Sequence, residues 1–397
     1  MAITFDETPA LPEDAPEATL VGRAWLPGPV PGPAVVAVRE DALWDLSPRA
    51  PTMSDLLEEA DAVALARSAP AARVGSLEEV IANSRWDRRD PSRPFLLAPI
   101  DLQAIKAAGV TFVRSLVERL VEERAQGDVR RVAEVRSRLE ELIGGELSGI
   151  RPGSPEAMCL KEHLQAEGAW SQYLEVGIGP DAEIFTKAQP MSAVGHGSLI
   201  GIHPRSVWNN PEPELVLVAD SRGRARAATL GNDVNLRDFE GRSALLLGRA
   251  KDNNASCAIG PFLRLFDESF GLEEARRLEI RLEVAGEDGF HLSAVSSMRE
   301  ISRDPGELLA QTASATHQYP DGFALFCGTM FAPTRDRDRP GEGFTHHVGD
   351  LVVIRAPELG GLANRVAHCD RIPPWTFGSR ALMHNLAARG LLGARGQ

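Results

Sequence analysis

Cysteine is scarce in this chain, and its spacing excludes several kinds of site. The 397 residues contain four cysteines, at positions 159, 257, 327 and 369, and no two of them form a C-x-x-C pair. Widely spaced cysteines of this kind are typical of reduced thiols and argue against a disulfide framework or a cysteine-rich zinc site. We therefore expect a cytoplasmic protein.

Long apolar runs and an excess of positive charge are also missing. No hydrophobic stretch approaches the roughly 20 residues that span a bilayer, and residues 1–18, acidic and rich in proline, have no signal-peptide pattern. We expect those residues to form a mobile or loosely docked arm. The formal net charge is −13, which disfavours nucleic acids and anionic membranes as partners.

Motifs of several common enzyme classes are absent as well. The sequence has neither G-x-G-x-x-G nor a P-loop, so chemistry on dinucleotides or nucleoside triphosphates has no support. None of the nine histidines has a partner at H-x-x-x-H spacing. A zinc site is therefore not expected.

Two carboxylates begin a run of β-forming residues. Glu212 and Glu214 flank Pro213 at i and i+2, so both side chains point to one face of a predicted strand. Because a proline cannot donate a ladder hydrogen bond, it indicates that this end of the strand lies at an edge or a rim.

A third carboxylate follows on the next predicted strand, after a turn at residues 220–223. If Asp220 pairs with Gly223, Glu214 lies opposite Thr229 and Glu212 opposite Gly231, and Asp233 is one same-face step further on. A slip of one residue would turn these side chains to opposite faces.

The three carboxylates, Glu212, Glu214 and Asp233, predict an all-oxygen site of the kind that Mg²⁺ or Mn²⁺ prefers. An isolated pair of glutamates on a strand is more often a solvated face. Lys251 lies in the polar stretch 250–257, where a nearby cation and desolvation could lower the pKa of its ammonium and let it act as a base. Alone, such a lysine is more often on the surface.

Several motifs together resemble the fumarylacetoacetate hydrolase superfamily, over most of residues 170–380. The matching segments are EIFTK (183–187), PEPEL (211–215), LGNDVNLRD (230–238), AKDNNASCAIGP (250–261) and CGTMFAP (327–333). Within the superfamily the chain is similar to the sugar-acid branch, the 2-keto-3-deoxypentonate dehydratases. The resemblance implies Mg²⁺ (or Mn²⁺), a 2-keto-3-deoxy sugar acid as substrate, and a homodimer or dimer of dimers.

The expected reaction is removal of water from 2-keto-3-deoxy-D-xylonate, giving 2,5-dioxopentanoate. Lys251 and Glu183 are the candidates for the two proton-handling groups that such a reaction needs. Thr329, Lys187 and Asn235 are candidate substrate-binding residues.

Two other functions stay open at this point. Superfamily members that hydrolyse carbon–carbon bonds use a His with a Glu three residues on, and the chain contains no H-x-x-E; that absence weakens a hydrolase or decarboxylase hypothesis. A non-enzymatic alternative is a structural Ca²⁺ in a β-roll module, which predicts a site closed by protein oxygens without a lysine nearby.

The expected fold class is α+β, with a C-terminal mixed β-roll as the catalytic domain. We predict an N-terminal α/β domain over residues 1–152, including a helical connector or lid at about 113–145, and a catalytic domain over 153–397. If the connector closes over the site, Glu118, Arg119 and Glu122 could reach the ligand. A solvated helical hairpin is the alternative.

Overall fold

The computed structural model describes residues 3–393 except 127, 133, 136, 138–149, 167, 169, 332 and 333. Its strands are β1 (Leu20–Leu26), β2 (Gly32–Arg39), β3 (Ala42–Asp45), β4 (Ala72–Ser76), β5 (Phe95–Leu97), β6 (Ala104–Gly109), β7 (Glu183–Ala188), β8 (Leu199–Ile202), β9 (Asn209–Asn210), β10 (Pro213–Ala219), β11 (Ala225–Asp233), β12 (Asn235–Leu236), β13 (Cys257–Leu265), β14 (Glu279–Ala285), β15 (His291–Ser297), β16 (Phe323–Phe326), β17 (Leu351–Ala356) and β18 (Gly360–His368).

Its α-helices are α1 (Met53–Glu58), α2 (Ala62–Ser68), α3 (Leu77–Ser84), α4 (Val113–Ala125), α5 (Pro155–Ala166), α6 (Gln172–Ile178), α7 (Arg237–Glu240), α8 (Leu247–Lys251), α9 (Leu272–Ala275), α10 (Pro305–Thr312) and α11 (Ser379–Ala388). Short 3₁₀ helices cover Val129–Arg131, Ala244–Leu246 and Met298–Glu300. Within the described parts of the chain, no helix combines the length and apolarity needed to cross a bilayer.

The largest sheet joins the N-terminal and C-terminal parts of the chain. Its order is β4-β3-β2-β1-β13-β11-β10-β16-β6-β7, and β5 also pairs with β1. The pairing of β16 with β6 is parallel, whereas the other pairings in this sheet are antiparallel. The sheet therefore crosses the division predicted at residue 152, and that division stays a prediction.

A second sheet, ordered β15-β14-β17-β18-β8, packs against one face of the first. Along β10, Leu215 and Leu217 point into the core between the two sheets, whereas Val216 and Val218 point into a core on the other face, beside α1 and α2. This alternation follows from the period of two along a strand. The architecture is a mixed α+β fold, as the sequence predicted.

The β10–β11 hairpin has a different register from the predicted one. Glu214 lies opposite Gly231, and Glu212 lies across from Asp233, whose N–H donates to the Glu212 carbonyl at 3.1 Å. The turn adds one residue, with Gly223 at φ +74°, and an irregularity at Val218/Ala219 adds another. Because the two shifts together amount to two residues, the carboxylates keep the predicted common face.

Strand β10 is internal, between β11 and β16, so of the two predicted alternatives the edge is wrong and the rim fits the Pro213 end. Pro213 is the first residue of β10, and the pairing with β16 begins only at Val216. On the side facing β16, the absence of an N–H on Pro213 therefore costs no hydrogen bond between the strands.

Helix α4 is the described part of the predicted connector. Its buried face, which includes Leu116, Leu120 and Val121, packs in one apolar cluster with residues of α5 and α6. Most of the remainder of the connector, up to residue 145, lies outside the described residues. Because α4 is docked on neighbouring helices, the solvated-hairpin alternative is wrong for this part.

The N-terminal arm is packed against the body of the protein from residue 3 onward. Phe5 is buried beside Val353 and Ala363, and Asp14 makes two hydrogen bonds of 2.7 and 2.6 Å with the buried Arg264 guanidinium. The prediction of a mobile or loosely docked arm is therefore wrong.

Candidate active site

Three buried carboxylates meet at the open end of the β10–β11 hairpin. One oxygen from each of Glu212, Glu214 and Asp233 lies within 4.8 Å of the others. The Gly328 N–H donates to Glu214 Oε2 at 2.6 Å, and Asn235 Nδ2 donates to Glu212 Oε1 at 3.2 Å. The predicted convergence of these carboxylates is confirmed, whereas metal binding by them stays a prediction.

Glu214 shows the electrostatic cost of this arrangement. Burial, together with the charges of Asp233 and Glu212, raises the pKa of Glu214 well above its usual value. Like charges held this close inside a protein repel strongly unless a cation lies between them. The donor set is all oxygen, which suits a hard divalent cation such as Mg²⁺.

Two buried lysines face the same carboxylates. Lys251 Nζ lies 2.5 Å from Glu212 Oε2 and 3.0 Å from Asp233 Oδ2. Lys187, fully buried, places its Nζ 2.8 Å from Asp233 Oδ1 and donates to the Lys251 carbonyl at 2.5 Å. The surface interpretation is therefore wrong for Lys251, and Lys187 is buried as well.

The neighbouring carboxylates set the protonation state of Lys251. Burial alone would lower the pKa of its ammonium, but Asp233 and Glu212 outweigh burial and hold that pKa above its usual value. Burial alone would also raise the pKa of Asp233, yet Lys187 and Lys251 bring it below its usual value. In this geometry Lys251 carries its proton, and the lowering of its pKa by a bound cation stays a prediction.

Glu183 and Thr329 lie on other walls of the same cavity. Glu183 begins β7 opposite Gly109, and burial raises the pKa of its carboxyl. Thr329 follows Gly328, and its Oγ1 accepts a hydrogen bond from the Phe331 N–H at 3.1 Å. The structure therefore brings these two residues to the cavity, whereas it places Lys187 and Asn235 behind the carboxylates as their hydrogen-bond donors.

Helix α4 contributes a guanidinium group to the carboxylate cluster. Arg119 Nη2 donates to Glu212 Oε1 at 2.9 Å, and its Nη1 donates to Glu122 Oε2 at 2.8 Å and to Glu240 Oε2 at 2.7 Å. Arg237, from α7, binds Glu122 at 2.6 Å and Glu118 at 3.0 Å. Ion pairs therefore hold α4 over the site, as the lid hypothesis requires.

Sequence reasoning missed Glu240 as a site residue. It lines the cavity, is 4% exposed, and ends the helix that follows the LGNDVNLRD segment. Only its position two residues after that segment could have drawn attention to it, because a glutamate beside a glycine and an arginine has no distinctive pattern.

The cavity is narrow between its lining side chains and opens to solvent at a mouth. Seven carboxyl groups but only three cationic side chains line it among the described residues. The acids are Glu118, Glu122, Glu183, Glu212, Glu214, Asp233 and Glu240, and the cations are Arg119, Arg237 and Lys251. This surplus of negative charge fits a site that takes up a divalent cation.

Comparison with characterised proteins gives two curated relatives. A 2-dehydro-3-deoxy-D-arabinonate dehydratase of Saccharolobus solfataricus is 33% identical over 184 residues, which are 46% of this chain and 58% of the relative. A probable 2-keto-3-deoxyxylonate dehydratase of Haloferax volcanii is 30% identical over 194 residues, covering 49% of this chain and 63% of the relative. The match thus spans about three fifths of each relative.

A solved structure has the same fold over nearly its whole length. It is a 2-keto-3-deoxy-D-arabinonate dehydratase complexed with magnesium and 2,5-dioxopentanoate, 21% identical in sequence, with a TM-score of 0.60 over 88% of this chain and 99% of that one. Residues 156–367 match the family model of the fumarylacetoacetate hydrolase C-terminal domain. That match covers more than half of the sequence, and the chain therefore belongs to the fumarylacetoacetate hydrolase family.

Proposed function

We propose that this protein is a metal-dependent hydro-lyase that removes water from a 2-keto-3-deoxypentonate and yields 2,5-dioxopentanoate. The observation that carries the proposal is the buried triad of Glu212, Glu214 and Asp233 beside the Lys251 ammonium, in a cavity that opens to solvent. Relatives named as dehydratases of such acids support it.

Chemistry narrows the choice of substrate. The names of the two relatives differ in the parent sugar acid, xylonate or arabinonate, but in the 2-keto-3-deoxy acid C2 is a carbonyl and C3 a methylene. Only C4 keeps a configuration, and D-xylonate and D-arabinonate share it. We therefore propose the single compound 2-keto-3-deoxy-D-xylonate, identical with the D-arabinonate derivative, and the remaining question is D against L at C4.

The residues divide the work of the elimination. A bound Mg²⁺, held by the triad, would polarise the C2 carbonyl and so acidify the protons at C3. Glu183 takes a C3 proton as carboxylate, and the Lys251 ammonium gives a proton to the departing C4 hydroxyl. Thr329 and the backbone near Gly328 bind the oxo-acid end, while Lys187 and Asn235 hold Asp233 and Glu212 in place.

The composition of the cavity favours elimination over the alternatives. Among the described residues lining it there is no histidine, so the His–Glu pair that activates water in the hydrolases has no counterpart. A structural Ca²⁺ module predicts a closed site without a lysine, yet Lys251 contacts two of the three carboxylates and the cavity has a mouth.

The test is incubation of the purified protein with 2-keto-3-deoxy-D-pentonate and Mg²⁺, followed by separate assays for 2,5-dioxopentanoate and pyruvate. We expect the dioxo acid, slower turnover of the L-enantiomer, and loss of activity on exhaustive chelation that Mg²⁺ or Mn²⁺ restores. Pyruvate as the product would replace the proposal by carbon–carbon cleavage. Full turnover after chelation would exclude a metal-dependent reaction.

Three further properties belong to the same proposal. We propose Mg²⁺ as the physiological metal with Mn²⁺ as a substitute, a cytoplasmic location in pentose oxidation, and assembly as a homodimer or dimer of dimers. Light scattering after size-exclusion chromatography measures the assembly, and a monomer at micromolar concentration would contradict it.

A further inference from the structure

Glu240 is a buried carboxyl group that the proposed elimination does not use. It lines the cavity and is 4% exposed, and the one hydrogen bond it receives among the described residues comes from Arg119 Nη1, at 2.7 Å to Oε2. Its other carboxylate oxygen is therefore available to a ligand in the cavity.

Glu240 lies close to the proposed metal ligands without being one of them. Arg119 bridges Glu240 and Glu212, so one guanidinium group separates Glu240 from the proposed metal ligands. A five-carbon acid bound through its 2-oxo acid end beside Glu212 would extend C4 and C5 toward the other lining residues of the cavity, of which Glu240 is one.

The proposed reaction needs proton transfers at that end after water has left. Elimination across C3 and C4 gives 5-hydroxy-2-oxopent-3-enoate, an isomer of 2,5-dioxopentanoate. In the first step of the conversion, C5 loses a proton and C3 gains a proton, which gives an enol. In the second step, C4 gains a proton and the C5 hydroxyl loses its proton, which gives the aldehyde. Two bonds to hydrogen break and two form, so the step requires no oxidant, reductant or co-reactant.

We propose that Glu240 is a catalytic residue for this isomerisation, taking the proton from C5 and delivering it to C4. The inference rests on the proposed function. Glu183, which removed a proton from C3, returns one to C3. Lys251, which gave a proton to the departing C4 hydroxyl, receives the proton of the C5 hydroxyl. Each side chain therefore ends in the state in which it began.

The environment of Glu240 supports a role in accepting and returning a proton. Burial raises its pKa to about 7, although the nearby Arg119 and Lys251 oppose the rise. At neutral pH, both protonation states are then populated, which is the condition under which a carboxyl group transfers protons efficiently in either direction.

The test compares Glu240→Gln with Asp238→Asn, a matched acid-to-amide change in the same helix. Asp238 faces away from the cavity and accepts from Ser206 Oγ and the Val207 N–H. Substrate loss and aldehyde formation are followed separately by NMR, and the conjugated enone by ultraviolet absorbance. We expect E240Q to consume substrate within about threefold of the wild-type rate while aldehyde formation slows ~10²-fold and enone accumulates. D238N should behave like wild type, and Glu240→Asp should recover part of the aldehyde rate.

A second measurement does not depend on the variant. Isolated 5-hydroxy-2-oxopent-3-enoate is given to the wild-type protein, which should convert it to 2,5-dioxopentanoate faster than buffer does. No acceleration, aldehyde formation by E240Q at the wild-type rate, or loss of both steps in E240Q would each overturn the role of Glu240 and leave the dehydratase proposal in place. A wild-type protein that consumes no 2-keto-3-deoxypentonate would overturn both.

Discussion

Glu214 is a buried carboxylate whose ionised form a bound cation would favour. It is 3% exposed, and the carboxylates of Asp233 and Glu212 together with burial raise its pKa well above the usual value. A divalent ion among these oxygens reverses that situation, because its charge favours the ionised carboxylate. The ionised Glu214 carboxylate is therefore unfavourable without a metal ion and would be favourable with one.

We predict that Glu214→Gln abolishes the stabilisation of the protein by Mg²⁺. Mg²⁺ at 100 times its Kd should stabilise the wild-type protein by about 2.7 kcal/mol, whereas the variant should show no rise in Tm on titration. Thermal unfolding with and without Mg²⁺ measures both. Glu279→Gln, at an exposed position on β14, is the control and should respond as wild type does. A full Mg²⁺ response in E214Q would remove Glu214 from the metal site.

His196 makes stability depend on pH at a place far from any proposed chemistry. It is fully buried, its Nδ1 accepts from the Ala363 N–H at 3.2 Å, and burial lowers its pKa to about 4. As pH falls from about 6.5 to 4, the unfolded chain gains a proton that the folded protein does not take up. The free energy of unfolding should therefore fall by about 3 kcal/mol over that window and stay unaffected by this residue above it.

Denaturant unfolding at several pH values checks this prediction. His196→Asn keeps an acceptor near the Nδ1 position, so it should flatten the decline between pH 6.5 and 4, whereas the exposed His384→Asn should not. Asp350, whose pKa the Arg337 and His346 partners lower to about 2 against the opposing effect of burial, acts only at more acid pH. An unchanged slope in H196N would mean that His196 is not the titrating group.

At this scale, sequence identified the charged residues but not their surroundings. The common face of Glu212, Glu214 and Asp233 was predictable because side chains alternate between the two faces of a strand, so that residue numbers alone assign the face. The burial of Lys187 and Lys251 depends on strands and helices that meet from distant parts of the chain, so no local pattern distinguishes them from surface lysines. The same holds for Glu240.

Charged contacts of α4 add to the apolar packing that docks the helix. Arg237 donates to Glu122 and Glu118 and lies over the Trp208 ring at 4.2 Å. A guanidinium group presents its donors in a rigid planar fork, whereas the shorter lysine side chain offers a single nitrogen in place of that fork.

We predict that Arg237→Lys loosens α4 while leaving the rest of the fold intact. Truncating a buried ion network typically costs ~3–5 kcal/mol, and a conservative replacement should cost the lower part of that range. Hydrogen exchange should become at least about tenfold faster over Val113–Ala125 and stay unchanged over Glu279–Ala285. Arg124→Lys, exposed on the same helix, is the matched control. Equal protection of α4 in R237K and R124K would argue against this anchoring.

The β10–β11 hairpin explains why an incorrect register still led to the correct cluster. Two one-residue shifts, one in the turn at Gly223 and one at Val218/Ala219, add to an even number and leave the side-chain faces unchanged. Neither shift follows from local residue preferences, because such irregularities depend on how neighbouring strands pair. The element itself was predictable, whereas its register was not.

On the scale of the whole molecule, the N-terminal arm secures a buried cation. Arg264 is 1% exposed on β13, and Asp14 supplies both carboxylate oxygens to its guanidinium group. The prediction of a loose arm failed because a proline-rich acidic composition says nothing about a partner 250 residues away.

Deletion of residues 1–15 should therefore destabilise the protein by ~1.5–3 kcal/mol, because the buried Arg264 loses its hydrogen bonds to the half-exposed Asp14 carboxylate. Urea unfolding measures the loss. Asp14→Asn should reproduce a large part of it, whereas Asp6→Asn, which affects an exposed pair with Arg85, should cost less than about 1 kcal/mol. A truncated protein as stable as the full chain would show that the arm only covers the surface.

The mixed α+β class was predictable, since resemblance and strand patterns agreed, but the sharing of one sheet between both ends of the chain was not. Strand β13 pairs with β1, and β16 pairs with β6, so the hydrogen-bond ladders that support the carboxylates continue into the first 110 residues. A recombinant fragment beginning at residue 153 would expose the borders of β13 and β16 to solvent and leave β7 without β6, its partner in the sheet. Such a fragment should accumulate in inclusion bodies, and coexpression with residues 1–152 as a separate polypeptide should return it to the soluble fraction.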